Sequence, residues 1–184
     1  MSRSQHNRAG AGKRDALLPA VWWLLTALMV LCLVLAVFSL LAYPLMLANK
    51  TYVIGEFARM GIGSAALQWI GVLGVLVAAV VALTYLFLRH LRRIIDSVAE
   101  GQPFEPINAD RLRRMAWLSL AIQVVSIPMT RLIIWFDAMP NEPNVHHNSD
   151  GISIGGIVLV LTLFVLARVF RTGAEMQEDL EGTV

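Results

Sequence analysis

Two stretches decide how this chain folds: AVWWLLTALMVLCLVLAVFSLL at residues 20–41 and ALQWIGVLGVLVAAVVALTYLFL at residues 66–88. No Asp, Glu, Lys or Arg lies between Asp15 and Lys50, or between Arg59 and Arg89. Both gaps exceed the roughly 20 apolar residues that a helix needs to cross a hydrocarbon layer about 30 Å thick. Composition agrees: of 184 residues, 57% are hydrophobic and only 15% charged, against roughly 25% charged in soluble domains. A mean hydropathy of +0.65 is more apolar side chain than a core of this size can bury. Disorder and an ordinary cytosolic globule are excluded, and lipid is the expected solvent.

Two further spans follow from weaker signals. The uncharged run from Met115 to Thr130 is short of a crossing, so the third span takes in Arg131 and continues through LIIWF to Phe136. The run from Ile152 to Ala167 reaches full length if Arg168 snorkels to the interface. The expected fold is an all-α integral membrane protein, a bundle of four transmembrane helices. Its parts are a basic arm (1–19), a first span (20–48), an outer loop (49–65), a second span (66–88), and a helical hairpin loop (89–114). A third span (115–136), an acidic, His-containing outer loop (137–150), a fourth span (151–170) and an acidic tail (171–184) complete it. Pro44 is placed near the outer end of the first span, where a kink or stop is tolerated. A cleaved signal peptide would have a shorter apolar stretch and a small-x-small site, so the first span reads as an uncleaved anchor.

Lys and Arg set the orientation. Arg3, Arg8, Lys13 and Arg14 precede the first span, Arg89, Arg92, Arg93, Arg111, Arg113 and Arg114 follow the second, and Arg168 and Arg171 follow the fourth. All lie on one side of a four-span chain, whose other side holds only Lys50 and Arg59. By the positive-inside rule the rich side, with both termini, is cytoplasmic. The pI near 9.0 is thus an orientation signal and implies no direct nucleic-acid binding. Trp22, Trp23 and Trp117 fall at inner span ends and Trp69 and Trp135 at outer ends, an aromatic belt. Gly71, Gly74, Ala78 and Ala82 form a stripe of small residues that lets another helix come close, in this chain or in a homo-oligomer.

The cytosolic segments carry the most pattern. The second helix is expected to run on as RHLRRIIDSVAEG, stopping at Gly101, and Asn108 is expected to cap the helix that re-enters the membrane. The tail gathers Glu175, Glu178, Asp179 and Glu181 opposite the basic loop, either as an intramolecular clasp or as a docking surface. The stretches GQPFEPINADRLRRMAW (101–117) and FVLARVFRTGAEMQEDLEGTV (164–184) resemble the two most distinctive motifs of the DUF2975 family, four-span bacterial membrane proteins of unknown function. The matching positions are Gly101, Pro103, Phe104, Asn108, Arg111, Leu112, Phe170, Gly173, Asp179, Thr183 and Val184, and the resemblance is expected from the first span to Val184. It implies a cytosolic partner, because family members are often encoded beside small helix-turn-helix regulators. It brings no activity, cofactor or catalytic residue.

Chemistry is sparse. The spans hold no Asp, Glu, His or Lys away from their edges, so no enzyme is expected, nor any cofactor. Arg131 is a lone intramembrane charge, for anchoring or anion contact. His146 and His147, with Asp137, Glu142 and Asp150, are weak metal candidates, because adjacent histidines share no face and the spacing matches no known ligand set. The favoured reading is a membrane-anchored regulatory or interaction protein that holds a helix-turn-helix transcription regulator at Arg92, Arg93, Arg111, Arg113, Glu175, Glu178 and Asp179. The alternative is a small oligomeric transporter or channel component, with Arg131, Gln123, Ser119, Ser126, Thr84 and Thr162 as its polar groups.

Overall fold

A computed structural model describes residues 8–59, 66–101, 104–137 and 153–181, with side chains placed at 20–59, 67–101, 104–135 and 153–179. Its elements are the helices α1 (Arg8–Ala48), α2 (Lys50–Arg59), α3 (Ala66–Ala99), α4 (Pro106–Asp137) and α5 (Ile154–Glu181), and no strand occurs among the described residues. Four are long and apolar enough to cross a membrane: Ala20–Ala48, Leu67–Ala99, Pro106–Trp135 and Ile154–Asp179. Over the described residues, each of the four expected spans thus lies on one long helix.

The four long helices form an open row. α3 packs on α1, α4 on α3 and α5 on α4, while α1 does not pack along α4 or α5. The expected bundle is thus not closed, and each helix keeps a broad apolar flank uncovered. Phe38 is 72% exposed, Trp23 67% and Val165 64%. Water would penalise such flanks heavily, whereas hydrocarbon solvates them at no cost.

Close contacts replace a large core. Gly71 lies beneath the Tyr43 ring, whose Cε2 is 2.5 Å from where a Cβ would stand, and Ser39 Oγ donates to the Gly74 carbonyl at 2.9 Å. The small-residue stripe of α3 therefore faces α1 of the same chain at Gly71 and Gly74, while Ala82 is exposed. At the same end Trp69 of α3 meets Trp135 of α4 edge to face, 5.7 Å between centroids. The Gln123 side-chain amide of α4 grips the start of α5 twice, donating to the Ser153 carbonyl at 3.2 Å and accepting from Ser153 N–H at 3.3 Å. A Cβ on Gly156 would overlap that amide. Gly156→Leu is expected to cost about 1–3 kcal/mol by overpacking, read as a lower midpoint of SDS unfolding in mixed micelles. Gly155→Leu, facing only Ser153 Oγ at 3.6 Å, serves as a near-neutral control.

Several boundaries differ from the sequence reading. α1 is helical from Arg8, inside the arm assigned to 1–19, and it continues through Pro44 to Ala48. The outer loop at 49–65 contains α2, a short helix with a Glu56–Arg59 pair at 3.2 Å. α4 begins at Pro106, so Asn108 is not its cap. Proline at a first helical position needs no N–H donor there and has the right φ, and the Asn108 N–H already bonds the Glu105 carbonyl at 2.9 Å. α5 runs from Ile154 to Glu181, so the helix that carries the fourth span continues into the segment assigned to the tail.

Candidate functional site at the arginine-rich end

At the end of the row that carries most of the arginines, α3, α4 and α5 are joined by more than apolar packing. α3 extends well past the apolar stretch at 66–88 and stops at Gly101, whose φ of +82° is the left-handed conformation that only glycine adopts without strain. The chain then turns and returns as α4. Ile94 of α3, Leu112, Met115 and Ala116 of α4, and Leu163 and Ala167 of α5 form a buried cluster, with Met115 only 2% exposed.

A polar lock lies beside it. Asn108 is fully buried and donates from Nδ2 to Ser97 Oγ at 2.7 Å, and that hydroxyl donates to the Ile94 carbonyl at 2.8 Å. Asn108 Oδ1 accepts from Arg111 Nη1 at 2.9 Å, and the same nitrogen reaches the Arg93 carbonyl at 3.0 Å. One asparagine and one arginine of α4 thus satisfy the end of α3, which fixes the hairpin angle. Buried polar groups are tolerated when every partner is present, and here they pin one arrangement.

α5 closes the site. Phe104, in the turn, stacks at a tilt on Phe170 with 5.5 Å between centroids, and its Cδ1 lies 2.9 Å from where a Cβ on Gly173 would stand. Arg171 donates to Asp110 Oδ1 at 2.9 Å. Loop and tail therefore touch, but the ion pair runs opposite to the anticipated clasp: the acid is on the loop and the base on α5. Among the described residues no ion pair joins Glu175 or Glu178 to Arg92, Arg93, Arg111 or Arg113. Glu175, Glu178 and Asp179 are exposed on α5.

The four loop arginines expected at the contact surface, Arg92, Arg93, Arg111 and Arg113, divide by role. Arg111 belongs to the lock, and the Arg92 guanidinium sits over the Trp22 ring, 4.3 Å from its centroid, tying α1 to α3. Arg93 and Arg113 are exposed. Sequence reasoning passed over Ser97, whose hydroxyl is legible only once Asn108 is opposite it, and His90. The His90 imidazole lies just past the apolar stretch, with Nδ1 buried and unpartnered among the described residues. Burial, and then the charges of Arg114, Arg93, Arg111 and Arg89, lower its pKa below the usual 6.5. The fold therefore favours the neutral imidazole, and this contribution to stability is present above about pH 6.5 and lost as pH falls through the folded value. His90→Leu is expected to flatten the fall in unfolding midpoint between about pH 7 and pH 5. An unchanged slope would show that other groups carry it.

The remaining candidates are dispersed. Arg131 is exposed on α4, beyond Pro128, and makes no ion pair among the described residues. Its Cα is about 6 Å inward of Trp135 by helical rise, within snorkelling reach of that end. Thr84, Ser126 and Thr162 each donate to the carbonyl four residues back at 2.8 Å, Ser119 is buried, and Gln123 is engaged with Ser153. His146 and His147 lie outside the described residues. Among those described, no three His, Cys, Asp or Glu side chains converge as a metal site would require.

Fold and site together define an all-helical protein with four apolar helices, consistent with a multi-pass membrane protein, and a packed knot of polar and aromatic residues at one end. The model of a family described as protein of unknown function, DUF2975, matches residues 52–184, and the chain belongs to that family. The match starts after α1, later than the resemblance anticipated. It contains Gly101, Phe104, Asn108, Arg111, Leu112, Phe170 and Gly173, most of which meet in the knot. No curated protein and no solved structure matches the chain.

Proposed function

We propose that this chain is a membrane-anchored regulatory protein of the bacterial plasma membrane. Both termini face the cytoplasm, and the knot presents a docking surface to a small helix-turn-helix regulator. The observation that supports this reading is the meeting of Phe104, Asn108 and Arg111 with Phe170 and Gly173 at the arginine-rich end. The positive-inside bias puts that end in the cytoplasm. Residues so far apart in sequence pack into one unit, and Arg93, Arg113, Glu175 and Glu178 stand exposed around it. Rigid placement of charged side chains is what selective recognition needs. A transport path would instead need unengaged polar groups along the spans, and the hydroxyls of Thr84, Ser126 and Thr162 are spent on their own helices.

Photo-crosslinking in cells from probes at Arg93, Arg113 and Glu178 tests the reading. Capture of one small DNA-binding protein by these probes, and not by a probe at Glu56, is the expected result. Capture of only lipid or of the chain itself would contradict it. Because Gly173 and Ala174 are packed in the knot, a truncation intended to release the partner should begin after Met176, not after Arg171.

A further inference from the structure

Between α4 and α5 at the arginine-rich end lies a notch of about 170 Å³ lined by Ala109, Arg113, Phe164, Ala167, Arg168 and Arg171. We propose that it binds the phosphate of an anionic phospholipid, with an acyl chain of that lipid lying in the apolar furrow that continues along α5. The inference rests on the membrane reading above and does not require the regulator, although it gives Arg113 of the docking surface a second contact, with lipid.

Charge is the first argument. Arg171 is neutralised by Asp110 at 2.9 Å, whereas Arg113 and Arg168, on facing helices, form no ion pair among the described residues. Two guanidiniums converging on one notch repel each other until an anion lies between them, and a phosphate accepts from both in charge-assisted bonds. Depth is the second. Trp117 and Phe164 pack edge to face at 5.7 Å, each about one helical turn toward the apolar side of Arg113 and Arg168. Aromatic side chains of this kind mark the membrane interface, so the arginines stand about 6 Å further out, at the level of headgroup phosphates.

The furrow is the third argument, and it selects a lipid over a free anion. Arg168 also lines a second cavity, of about 460 Å³, with Phe104, Val165, Val169 and Met176. Val165 and Val169 continue into a third, of about 340 Å³, that reaches Val158. From Arg168 to Val158 is about 15 Å along the helix, which carries the furrow from headgroup level well into the hydrocarbon of one leaflet. A free phosphate would fill the notch and leave the furrow bare.

The test uses the full chain, first reconstituted in phosphatidylcholine vesicles and floated after an alkaline wash. Loss from the vesicles would overturn the membrane reading and the lipid site together. Retained protein is then purified in neutral detergent, and its unfolding midpoint is followed with added phosphatidylglycerol, phosphatidylcholine or inorganic phosphate. Phosphatidylglycerol is expected to raise the midpoint, and the other two are not. In Arg113→Gln/Arg168→Gln the apparent affinity for phosphatidylglycerol should fall at least about tenfold, and Arg168→Gln alone should show a smaller loss if the double variant folds poorly. Arg59→Gln, on α2 and away from the arginine-rich end, should respond as wild type. An equal response to phosphatidylcholine, a matching response to phosphate alone, or a full response in folded Arg168→Gln would overturn the proposal.

Discussion

Met115→Ala is expected to destabilise the protein by about 2–5 kcal/mol, the range for emptying a fully packed methionine site. Met115 stands where three helices meet, against a cluster with Ile94 of α3, Leu112 and Ala116 of α4, and Leu163 and Ala167 of α5. Nothing near it can collapse into the space easily, because Ala116 and Ala167 are already small and the Asn108 lock holds the hairpin. The row is open, so few residues are buried at all, and loss of this one is felt by both α3–α4 and α4–α5 packing. SDS unfolding in mixed micelles measures the effect. Met115→Leu, which conserves volume, should lose less than about 1.5 kcal/mol. A loss from Met115→Ala as small as that from Met115→Leu, under about 1.5 kcal/mol, would mean that the site is not tightly packed.

Asn108→Leu is the second large effect, about 2–4 kcal/mol, combining the loss of a neutral hydrogen bond to Ser97 with that of a charge-assisted one from Arg111. Leucine keeps the branching of asparagine and opens no cavity, but its methyl groups are bulkier than the amide, so overpacking at this fully buried position adds to the lost hydrogen bonds. The Arg111 guanidinium would keep only the Arg93 carbonyl. Arg111→Ala in the Asn108→Leu background should then cost less than Arg111→Ala alone, a coupling that a double-mutant cycle reads directly. Additive losses would show that the two side chains do not act together.

The parts of this fold legible in sequence are those set by local chemistry. Charge gaps mark spans because a charge inside hydrocarbon is costly, and Gly101 marks a helix stop because its φ is closed to other residues. Asn108 was misread because a capping asparagine and a buried bridging asparagine look alike in sequence. Pro106, a first-position proline, was the signal that α4 starts earlier. The extent of α5 was obscured by the change of sign beyond Arg171, which reads as a tail, although Gly173 and Ala174 are packed. The contact of Phe104 with Phe170 could not be read at all, since it depends on how α4 carries the turn back across α5. The charge pattern leaves a clasp and a docking surface both open, and ring packing with one reversed ion pair makes the join. Exposed ion pairs are individually weak, so the contact between the Phe104 and Phe170 rings is the stronger determinant.

The union of the 101–112 segment with the end of α5 is the central structural claim, and one measurement addresses it directly. With the only cysteine removed as Cys32→Ser, cysteines are placed at Asp110 and Arg171, whose side chains meet at 2.9 Å, and a short bifunctional thiol reagent is applied in native membranes. The packing described here predicts an efficient cross-link within one chain, absent when the pair is Asp110 with Glu56. Failure of the Asp110–Arg171 pair to cross-link, while each single cysteine is readily labelled, would contradict it.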